Sequence, residues 1–294
     1  MLFILFFLSC ATRPPVMAPS GMEPPRADVP EILEPQWLPL YPGIEYFEGN
    51  VRTPRLELWA LRVDLTEPSL RMVVSGWEPV HGLLREGIIP STKITGFVRR
   101  HNCAAGINAN PFSPVSGAEG EERTIAGITV SEGLVVSLPH PAYDALVFYT
   151  DGKAAIVNQA QLGDLKSIRN AVGGFFIVLL DGEIPEAVSR RGAARHPRSA
   201  AGVSADGGTL YLLVIDGRRP GSRGATETET GLILRRLGAA DGINLDGGGS
   251  TALAIRYPGG KVRAVNTPIH GGIPRRERGV AVCLGIGLWT EKTP

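Results

Sequence analysis

Residues 226–251 read TETETGLILRRLGAADGINLDGGGST, and this order predicts a helix, then a strand, then a glycine-rich loop. Thr226 and Glu229 have the spacing of a capping box, the aliphatic residues that follow form an apolar face, and Gly238 is suited to end the helix. The strand is expected at Gly242–Leu245, directly before the glycines. This segment therefore indicates a domain that contains both helix and sheet.

The loop after this strand has the residue types of an anion-binding site. The triple glycine lets the backbone take positive φ and expose successive N–H groups in a concave nest. Asn244 and Asp246 alternate with apolar residues, so both polar side chains should leave the same face of the strand. A carboxylate, an amide, hydroxyls and an anion-binding backbone so close together predict a functional site. The binding residues expected from this loop are Asn244, Gly247, Gly248, Gly249, Ser250 and Thr251.

The rest of the chain is a series of short apolar runs separated by turn signals. Residues 56–65 alternate as a half-buried strand does, and residues 90–101 have helical spacing with Ser91 and Thr92 as caps. We therefore expect an α+β fold, a single compact domain with a mixed, mainly antiparallel sheet and flanking helices. Turns with Glu-Gly or Asp-Gly between β-rich runs predict hairpins at 128–137, 145–157, 175–184 and 202–218.

The first 40 residues predict export and a tether. Residues 1–10, MLFILFFLSC, hold an apolar run too short to span a bilayer, and the order Leu-Ser-Cys resembles a bacterial lipobox, so Cys10 is expected to carry lipid. The alternative is a secretory signal that is cleaved. Residues 11–40 are rich in proline and predict an extended spacer, so the folded domain is expected at 41–294. The expected location is outside the cytoplasm, anchored to a membrane as a lipoprotein.

Charge and motif content narrow the classes of partner. Lys plus Arg is 30 and Asp plus Glu is 29, so the net charge is close to zero and gives no overall positive potential that would favour binding of nucleic acid. The chain has no P-loop, no dinucleotide-binding glycine pattern and no nucleophile elbow. The five His are scattered, which argues against zinc, but Asp216 or Asp246 could hold a hard cation such as calcium or magnesium. Cys103 and Cys283 could pair outside the cytoplasm or simply be buried.

Arginines and further polar residues stand at other strand ends. Arg198 precedes one expected strand, Asp216 and Arg218 close the next, and guanidinium groups are apt bidentate partners for phosphate. Glu229 is already explained by the capping box. The remaining candidates, each ambiguous by itself, are Asn108, Asn266, Glu277 and Arg278.

Taken in order, these motifs resemble the phosphodiester glycosidase family. The segments that carry the resemblance are PRSAAGV, LLVIDGR, GATETETGLILRRLGA, INLDGGGST, VNTP and ERGVAV. The resemblance covers residues 100–285. Residues 109–111 and Phe175 depart from the family pattern, which bears on the identity of the substrate more than on the type of reaction.

The resemblance implies an exported hydrolase that cleaves the glycosidic bond of a sugar-1-phosphodiester in an envelope or extracellular glycan. Three carboxylates, Asp216, Glu229 and Asp246, are candidates for base or nucleophile, since glycosidases commonly use two such groups. Arginine side chains and the glycine nest would hold the phosphate. The alternative is a non-catalytic envelope lipoprotein that binds an anionic glycan. The binding residues expected outside the loop are Asn108, Arg198, Arg218, Asn266, Glu277 and Arg278.

Overall fold

A computed structural model of the chain describes residues 34–76 and 83–289. The expected signal at 1–10, the lipid attachment at Cys10 and most of the expected spacer lie outside the described residues. Within the described part, none of the helices combines the length and apolar character needed to cross a membrane. The first strand begins at Leu38, three residues before the expected start of the domain.

The largest sheet has seven strands and carries much of the site on its central members. Its strands, in spatial order, are β1 (Leu38–Tyr41), β2 (Ile44–Val51), β3 (Leu56–Asp64), β16 (Thr209–Ile215), β15 (Arg198–Val203), β17 (Asp241–Asn244) and β14 (Phe176–Leu179). Each neighbouring pair in it is antiparallel.

Two five-stranded sheets and one three-stranded sheet complete the fold, and their pairings are also antiparallel. One five-stranded sheet has the order β10 (Leu134–Ser137), β9 (Thr129–Ser131), β13 (Ile168–Gly174), β11 (Asp144–Tyr149) and β12 (Ala154–Asn158). The other has the order β19 (Val262–Ala264), β18 (Leu253–Arg256), β6 (Cys103–Asn108), β20 (Cys283–Leu288) and β4 (Leu70–Val74). The small sheet is β5 (Ile88–Pro90), β8 (Glu122–Ile125) and β7 (Phe112–Ser113).

The helices of the described residues are few and short. The α-helices are α1 (Ile94–Arg100), α2 (Glu186–Ser189) and α3 (Glu227–Leu237), and single 3-10 turns lie at Gln159–Gln161, Leu165–Ser167, Gly248–Ser250 and His270–Gly272. The prediction of a mainly antiparallel arrangement is confirmed. The α+β assignment needs correction, because the helices of the described residues are few and short and the fold is dominated by its antiparallel sheets.

The strands β3 and β16 are buried on both faces. Alternate residues of β3, such as Leu61 and Leu58, belong to two different hydrophobic cores on opposite sides of the seven-stranded sheet. One core lies against the sheet that contains β6, and the other is covered by α3 through Ile233 and Leu234. The expected half-buried alternation of residues 56–65 is therefore wrong, since both sides of the pleat face apolar layers.

Local signals that depend on neighbouring residues are confirmed. The side chains of Thr226 and Glu229 form the capping box of α3, and Gly238 ends it in the left-handed region at φ 113°. The hairpins at 128–137, 145–157 and 202–218 have strands on both sides of the expected turn or loop. The hairpin at 175–184 is reduced to β14 and a single bridge between Leu180 and Glu183.

The expected caps of α1 are wrong. The helix begins after Lys93, which makes no side-chain cap, and Glu277 instead accepts hydrogen bonds from the backbone N–H of Thr95 at 3.1 Å and from its hydroxyl at 2.8 Å. A carboxylate distant in sequence therefore satisfies the exposed donors of this helix. Cys103 and Cys283 are both free and buried, so the alternative of burial holds for these thiols.

Candidate active site

The polar strand ends meet because their strands are antiparallel neighbours. Arg198, the first residue of β15, pairs with Ile215 at the end of β16, and Ala200 pairs with Asn244 at the end of β17. The chain segments that follow β16 and β17 therefore leave the sheet at the edge where β15 starts. Asn108, at the end of β6, reaches this edge from the neighbouring sheet and donates a hydrogen bond to the carbonyl oxygen of Asp246 at 2.5 Å.

A cleft of about 340 Å³ opens at this edge. Of the expected site residues, it brings together Arg198, Arg218, Asn244, Asp246, Gly247 and Gly248. Its other lining residues are Phe175, Phe176, Arg191, His196, Pro197 and Glu227. We call this space the main cleft.

Each glycine of the loop lies close to a different neighbour. A Cβ on Gly247 would lie 2.7 Å from the carbonyl oxygen of Pro197, which is backbone and cannot move easily. Gly248 has φ +63°, and a Cβ there would lie 3.3 Å from the guanidinium of Arg218. A Cβ on Gly249 would lie 2.6 Å from the guanidinium of Arg278. The loop thus runs between two guanidinium groups, as an anion-binding loop would.

Asp246 is the carboxylate at the centre of this arrangement. Its Oδ2 is buried and has no hydrogen-bond partner among the described residues, and the same is true of Oδ1 of Asn244, two residues earlier on the same strand face. Burial raises the pKa of Asp246 to about 6, although a hydrogen bond from Ser250, the charge of Arg278 and the N–H of Gly247 oppose the rise. A carboxyl group with such a pKa can exchange a proton near neutral pH.

Two arginine–histidine pairs flank the loop. Arg218 lies 3.2 Å from Nδ1 of His196, and Nε of Arg278 donates to Nδ1 of His270 at 3.1 Å. Since arginine can only donate, both Nδ1 atoms act as acceptors and both rings are neutral in this arrangement. Burial and then neighbouring arginines lower the pKa of both histidines. Because both imidazole rings are neutral, the positive charge beside the loop is carried by the guanidinium groups of Arg218 and Arg278.

A second carboxylate, Glu227, lines the main cleft and is held by arginines. Its Oε1 lies 3.5 Å from Nη1 of Arg198, and its Oε2 lies 3.9 Å from Nε of Arg191. Arg198 is itself buried and donates to the carbonyl oxygen of Ala225 at 2.9 Å. These contacts fix a negative and a positive group side by side on one wall of the cleft.

Asp216 is placed away from the main cleft, in a saturated network. Its oxygens accept hydrogen bonds from Nδ2 of Asn266 at 3.0 Å, from the N–H of Thr267 at 3.0 Å and from Nη2 of Arg219 at 2.6 Å. Arg219 also pairs with Glu57 of β3. Burial raises the pKa of Asp216, while these hydrogen bonds lower it. The polar atoms of Asp216 and Asn266 already have partners, which favours a structural role, and the expected catalytic and binding roles stay predictions.

Glu229 also has a complete set of partners. Arg195 donates to both of its carboxylate oxygens, at 2.7 Å and 2.5 Å, and the N–H of Thr226 donates to Oε2 at 2.9 Å. The residue is buried and does not line the main cleft. The structure therefore gives Glu229 a role in holding the start of α3, and its catalytic role stays a prediction.

Four other expected binding residues have partners within the fold or lie buried outside the cleft. Both ends of the Asn108 amide are used, since its Oδ1 accepts from the hydroxyl of Ser199 at 2.7 Å and from the N–H of Ala252 at 3.1 Å. Glu277 is occupied with α1, and Thr251 is buried and does not line the cleft. Ser250 accepts a hydrogen bond from Nη1 of Arg278 at 3.0 Å and so connects the loop to that guanidinium.

Sequence reasoning missed the part of the cleft that lies opposite the loop. His196 directly precedes Pro197 and Arg198, and Glu227 lies between the two capping-box residues of α3. Neither sequence position has a pattern that indicates a binding residue. Phe175 and Phe176 supply an apolar wall, and the guanidinium of Arg191 lies 3.8 Å from the ring centre of Phe176. The sequence signal for this part of the cleft is the position of His196, two residues before Arg198, a candidate for phosphate binding.

The described residues contain no group of three or more His, Cys, Asp or Glu that could hold a metal ion. The oxygens of Asp216, one of the two expected cation ligands, are already engaged. Asp246 is the remaining candidate.

A model of a known protein family matches residues 101–287, and its description is phosphodiester glycosidase. Among curated proteins, the SPbeta prophage-derived uncharacterized protein YomE of Bacillus subtilis is 26% identical over an alignment of 174 residues that covers 55% of this chain. The match spans 26% of the length of YomE, about a quarter of that protein.

Three solved structures share the fold at low sequence identity. The catalytic domain of zebrafish N-acetylglucosamine-1-phosphodiester alpha-N-acetylglucosaminidase, auto-inhibited by its pro-peptide, has a TM-score of 0.62 at 17% identity, with 87% of each chain covered. A hypothetical protein from Synechocystis has a TM-score of 0.61 at 16% identity, covering 90% of this chain and 65% of that one. A Burkholderia pseudomallei protein whose description proposes export has a TM-score of 0.58 at 17% identity, covering 79% and 74%.

Proposed function

The chain belongs to the phosphodiester glycosidase family, and we propose that it is a hydrolase that cleaves the C1–O bond of a sugar-1-phosphodiester. One observation carries this proposal: Asp246 lines the main cleft, has a buried oxygen without a partner, and directly precedes a glycine loop that lies between two guanidinium groups. A carboxylate beside an anion-binding loop is what hydrolysis of a phosphate-bearing sugar needs.

The phosphate is held at the loop. Arg218 lines the main cleft and can donate N–H groups to phosphate oxygens, while Arg198, held by Glu227 and the carbonyl oxygen of Ala225, adds positive charge to the same wall. The main-chain N–H groups of the glycine nest add further donors. The sugar then lies toward Phe175 and Phe176, whose rings offer an apolar wall to the face of a pyranose ring.

The reaction is a displacement by water at C1. Asp246 accepts a proton from water, the water oxygen forms a bond to C1, and the bond from C1 to the phosphate oxygen breaks with its electron pair on the phosphate. The leaving phosphate monoester is stabilised by the arginines, so little general-acid help is needed. Glu227 lies on the same cleft and stabilises the positive charge that develops on the sugar ring.

The location of this activity is also part of the proposal. The apolar start of the chain, the Leu-Ser-Cys order at Cys10 and the proline-rich residues that follow support export and a lipid anchor. Such a tether would place the domain against an envelope or extracellular glycan, which we propose as the substrate. The family membership supports the reaction type and leaves the sugar and its aglycone to experiment.

Incubation of the purified full-length chain with a panel of sugar-1-phosphodiesters tests the function. We expect release of free reducing sugar and of the phosphate monoester from at least one member. Binding of a cell-wall glycan with no release of sugar from any member would contradict the hydrolase and support the non-catalytic module. A parallel incubation with chelator tests a divalent cation at Asp246, since an unchanged rate would exclude a required calcium or magnesium ion.

A further inference from the structure

A second cleft, of about 440 Å³, lies on the far side of the glycine loop. Its walls are formed by the segment that enters α1, the turn at 117–119 and the segment 270–279. The lining residues are Lys93, Gly117, Ala118, Glu119, His270, Arg275, Arg276, Glu277 and Gly279. None of the residues expected to bind phosphate lines this space.

Arg278 connects the wall of the second cleft to the glycine loop. Its Nη1 donates to Ser250 of the glycine loop, and its Nε donates to His270, a lining residue of the second cleft. The turn His270–Gly272 packs against the turn Gly248–Ser250. A ligand group in the second cleft therefore lies beside the same loop that forms the main cleft.

The charges of the second cleft are not balanced. Lys93 is paired with Glu119 at 3.1 Å, and Glu277 accepts hydrogen bonds from Thr95, so the two lining carboxylates offset two of the three lining cations and a net positive charge remains. Arg275 and Arg276 are exposed, and the described residues place no carboxylate within salt-bridge distance of either guanidinium.

Two further features favour a site over an ordinary exposed surface. Arg275 holds a left-handed backbone conformation at φ +65°, which is strained for a residue with a side chain and presents two consecutive arginines at the rim. Arg123, completely buried behind the turn, donates to the carbonyl oxygen of Ala118, while its own Nε has no partner among the described residues. The Nη1 of Arg123 also lies 3.9 Å from the carboxylate of Glu121, so the positive charge behind the wall is partly compensated.

We propose that the second cleft binds a second phosphate group of the same substrate molecule, held by Arg275 and Arg276. This inference rests on the proposed function, because it concerns the part of the substrate beyond the cleaved bond. A planar guanidinium suits phosphate through two parallel hydrogen bonds. The preferred substrate is therefore a sugar-1-phosphodiester that carries at least two phosphates, as a segment of a phosphate-linked glycan does.

Kinetics with two matched substrates test the second cleft. One is a sugar-1-phosphodiester with a methyl aglycone, and the other has the same sugar and an aglycone that ends in a further phosphate. For the wild type we expect kcat/KM about tenfold higher with the second phosphate, mainly through KM, the size expected for charge-assisted hydrogen bonds. The double variant R275Q/R276Q should lose this gain and keep the kcat/KM of the methyl substrate within about twofold.

The double variant R235Q/R236Q on α3 is the matched control, since it removes the same charge from two consecutive exposed arginines. It should keep the preference for the second phosphate. Equal kcat/KM values for both substrates in the wild type, or an unchanged preference in R275Q/R276Q, would overturn the proposal.

Direct binding separates this inference from the proposed hydrolysis. Calorimetry with inorganic phosphate and with a short linear polyphosphate requires no turnover. The wild type and the control variant should bind the polyphosphate about tenfold more tightly than phosphate, and R275Q/R276Q should not. If neither substrate is cleaved but this pattern appears, the hydrolase is wrong and the second anion site stands; equal binding by all three proteins removes the site.

Discussion

Asp246 has a buried oxygen that no described residue satisfies, and such an atom costs stability unless a ligand or a proton occupies it. Its pKa of about 6 expresses this cost, because burial disfavours the charged form. Asp216 and Glu229, in contrast, are buried with every carboxylate oxygen engaged. Of these three carboxylates, Asp246 is therefore the one that has an oxygen without a hydrogen-bond partner and can accept a proton from water.

Stability as a function of pH tests this reading of Asp246. Because its folded pKa of about 6 exceeds the ordinary 3.8, its protonated form stabilises the fold below about pH 4, and this contribution is lost as the pH rises through 6. Replacement by asparagine removes the cost of burying the charge, on the order of 2–3 kcal/mol. We expect D246N to melt at a higher temperature than the wild type at pH 8 and at about the same temperature at pH 4. An equal difference at both pH values would contradict the account.

Glu229→Gln separates a structural role from a catalytic one. Glutamine can still accept from Thr226 in the capping box but loses the ionic part of the contact with Arg195. We expect a fall of about 1–2 kcal/mol in the free energy of unfolding and a kcat within a few-fold of the wild type. Urea denaturation and steady-state kinetics on the same preparation check both, and a loss of about 100-fold in kcat at full stability would restore the catalytic assignment.

The glycine loop depends on side chains from other segments to form an anion-binding site. Arg218 and Arg278 come from segments that follow β16 and precede β20, and they meet over Gly248 and Gly249 because those strands belong to adjacent sheets. The loop itself is fixed from behind by Asn108, which joins it to β6. Three consecutive glycines thus form part of a candidate anion-binding site because residues remote in sequence contact them.

Two alanine substitutions distinguish the roles of glycines in this loop. In G247A the new Cβ would collide with the backbone carbonyl of Pro197, so we expect the fold to lose about 1–3 kcal/mol. In G249A it would collide with the end of the flexible Arg278 side chain, so we expect nearly full stability and a raised KM for a sugar-1-phosphodiester. Thermal melts and kinetics of both variants measure this, and similar stability losses in the two would show that the loop is rigid throughout.

The whole molecule is held together at this edge by the network around Asp216. It joins the end of β16 to Asn266 and Thr267 and, through Arg219, to Glu57 of β3. The network therefore connects the seven-stranded sheet to the segment that follows β19.

Removal of Asp216 should act on the fold as a whole. In D216A the buried N–H groups of Asn266 and Thr267 lose their acceptor, and Arg219 retains only Glu57. We expect the free energy of unfolding to fall by about 3–5 kcal/mol, as for other buried pairs broken on one side. Urea denaturation gives this value, and a fully stable but inactive D216A would return Asp216 to the catalytic candidates.

The sequence allowed the local parts of this fold to be predicted and left the long-range parts hidden. The capping box of α3 depends on two residues three positions apart, and the hairpins depend on their own turns, so both could be read directly. The start of α1 could not, because Glu277 caps it from 182 positions away. His196 and Glu227 escaped notice for the same reason, since their place opposite the loop follows from the packing of strands.

We infer that Asp246 activates water for hydrolysis of a sugar-1-phosphodiester, and a kinetic comparison of two Asp→Asn variants tests this role. Asp241→Asn is the matched control, because Asp241 begins the same strand and accepts a hydrogen bond from the N–H of Asp181 that asparagine can also accept. On a sugar-1-phosphodiester that the wild type cleaves, we expect kcat/KM to fall by about 10²–10⁴-fold in D246N and to stay within about twofold in D241N. Turnover by D246N at the level of the control would contradict the account.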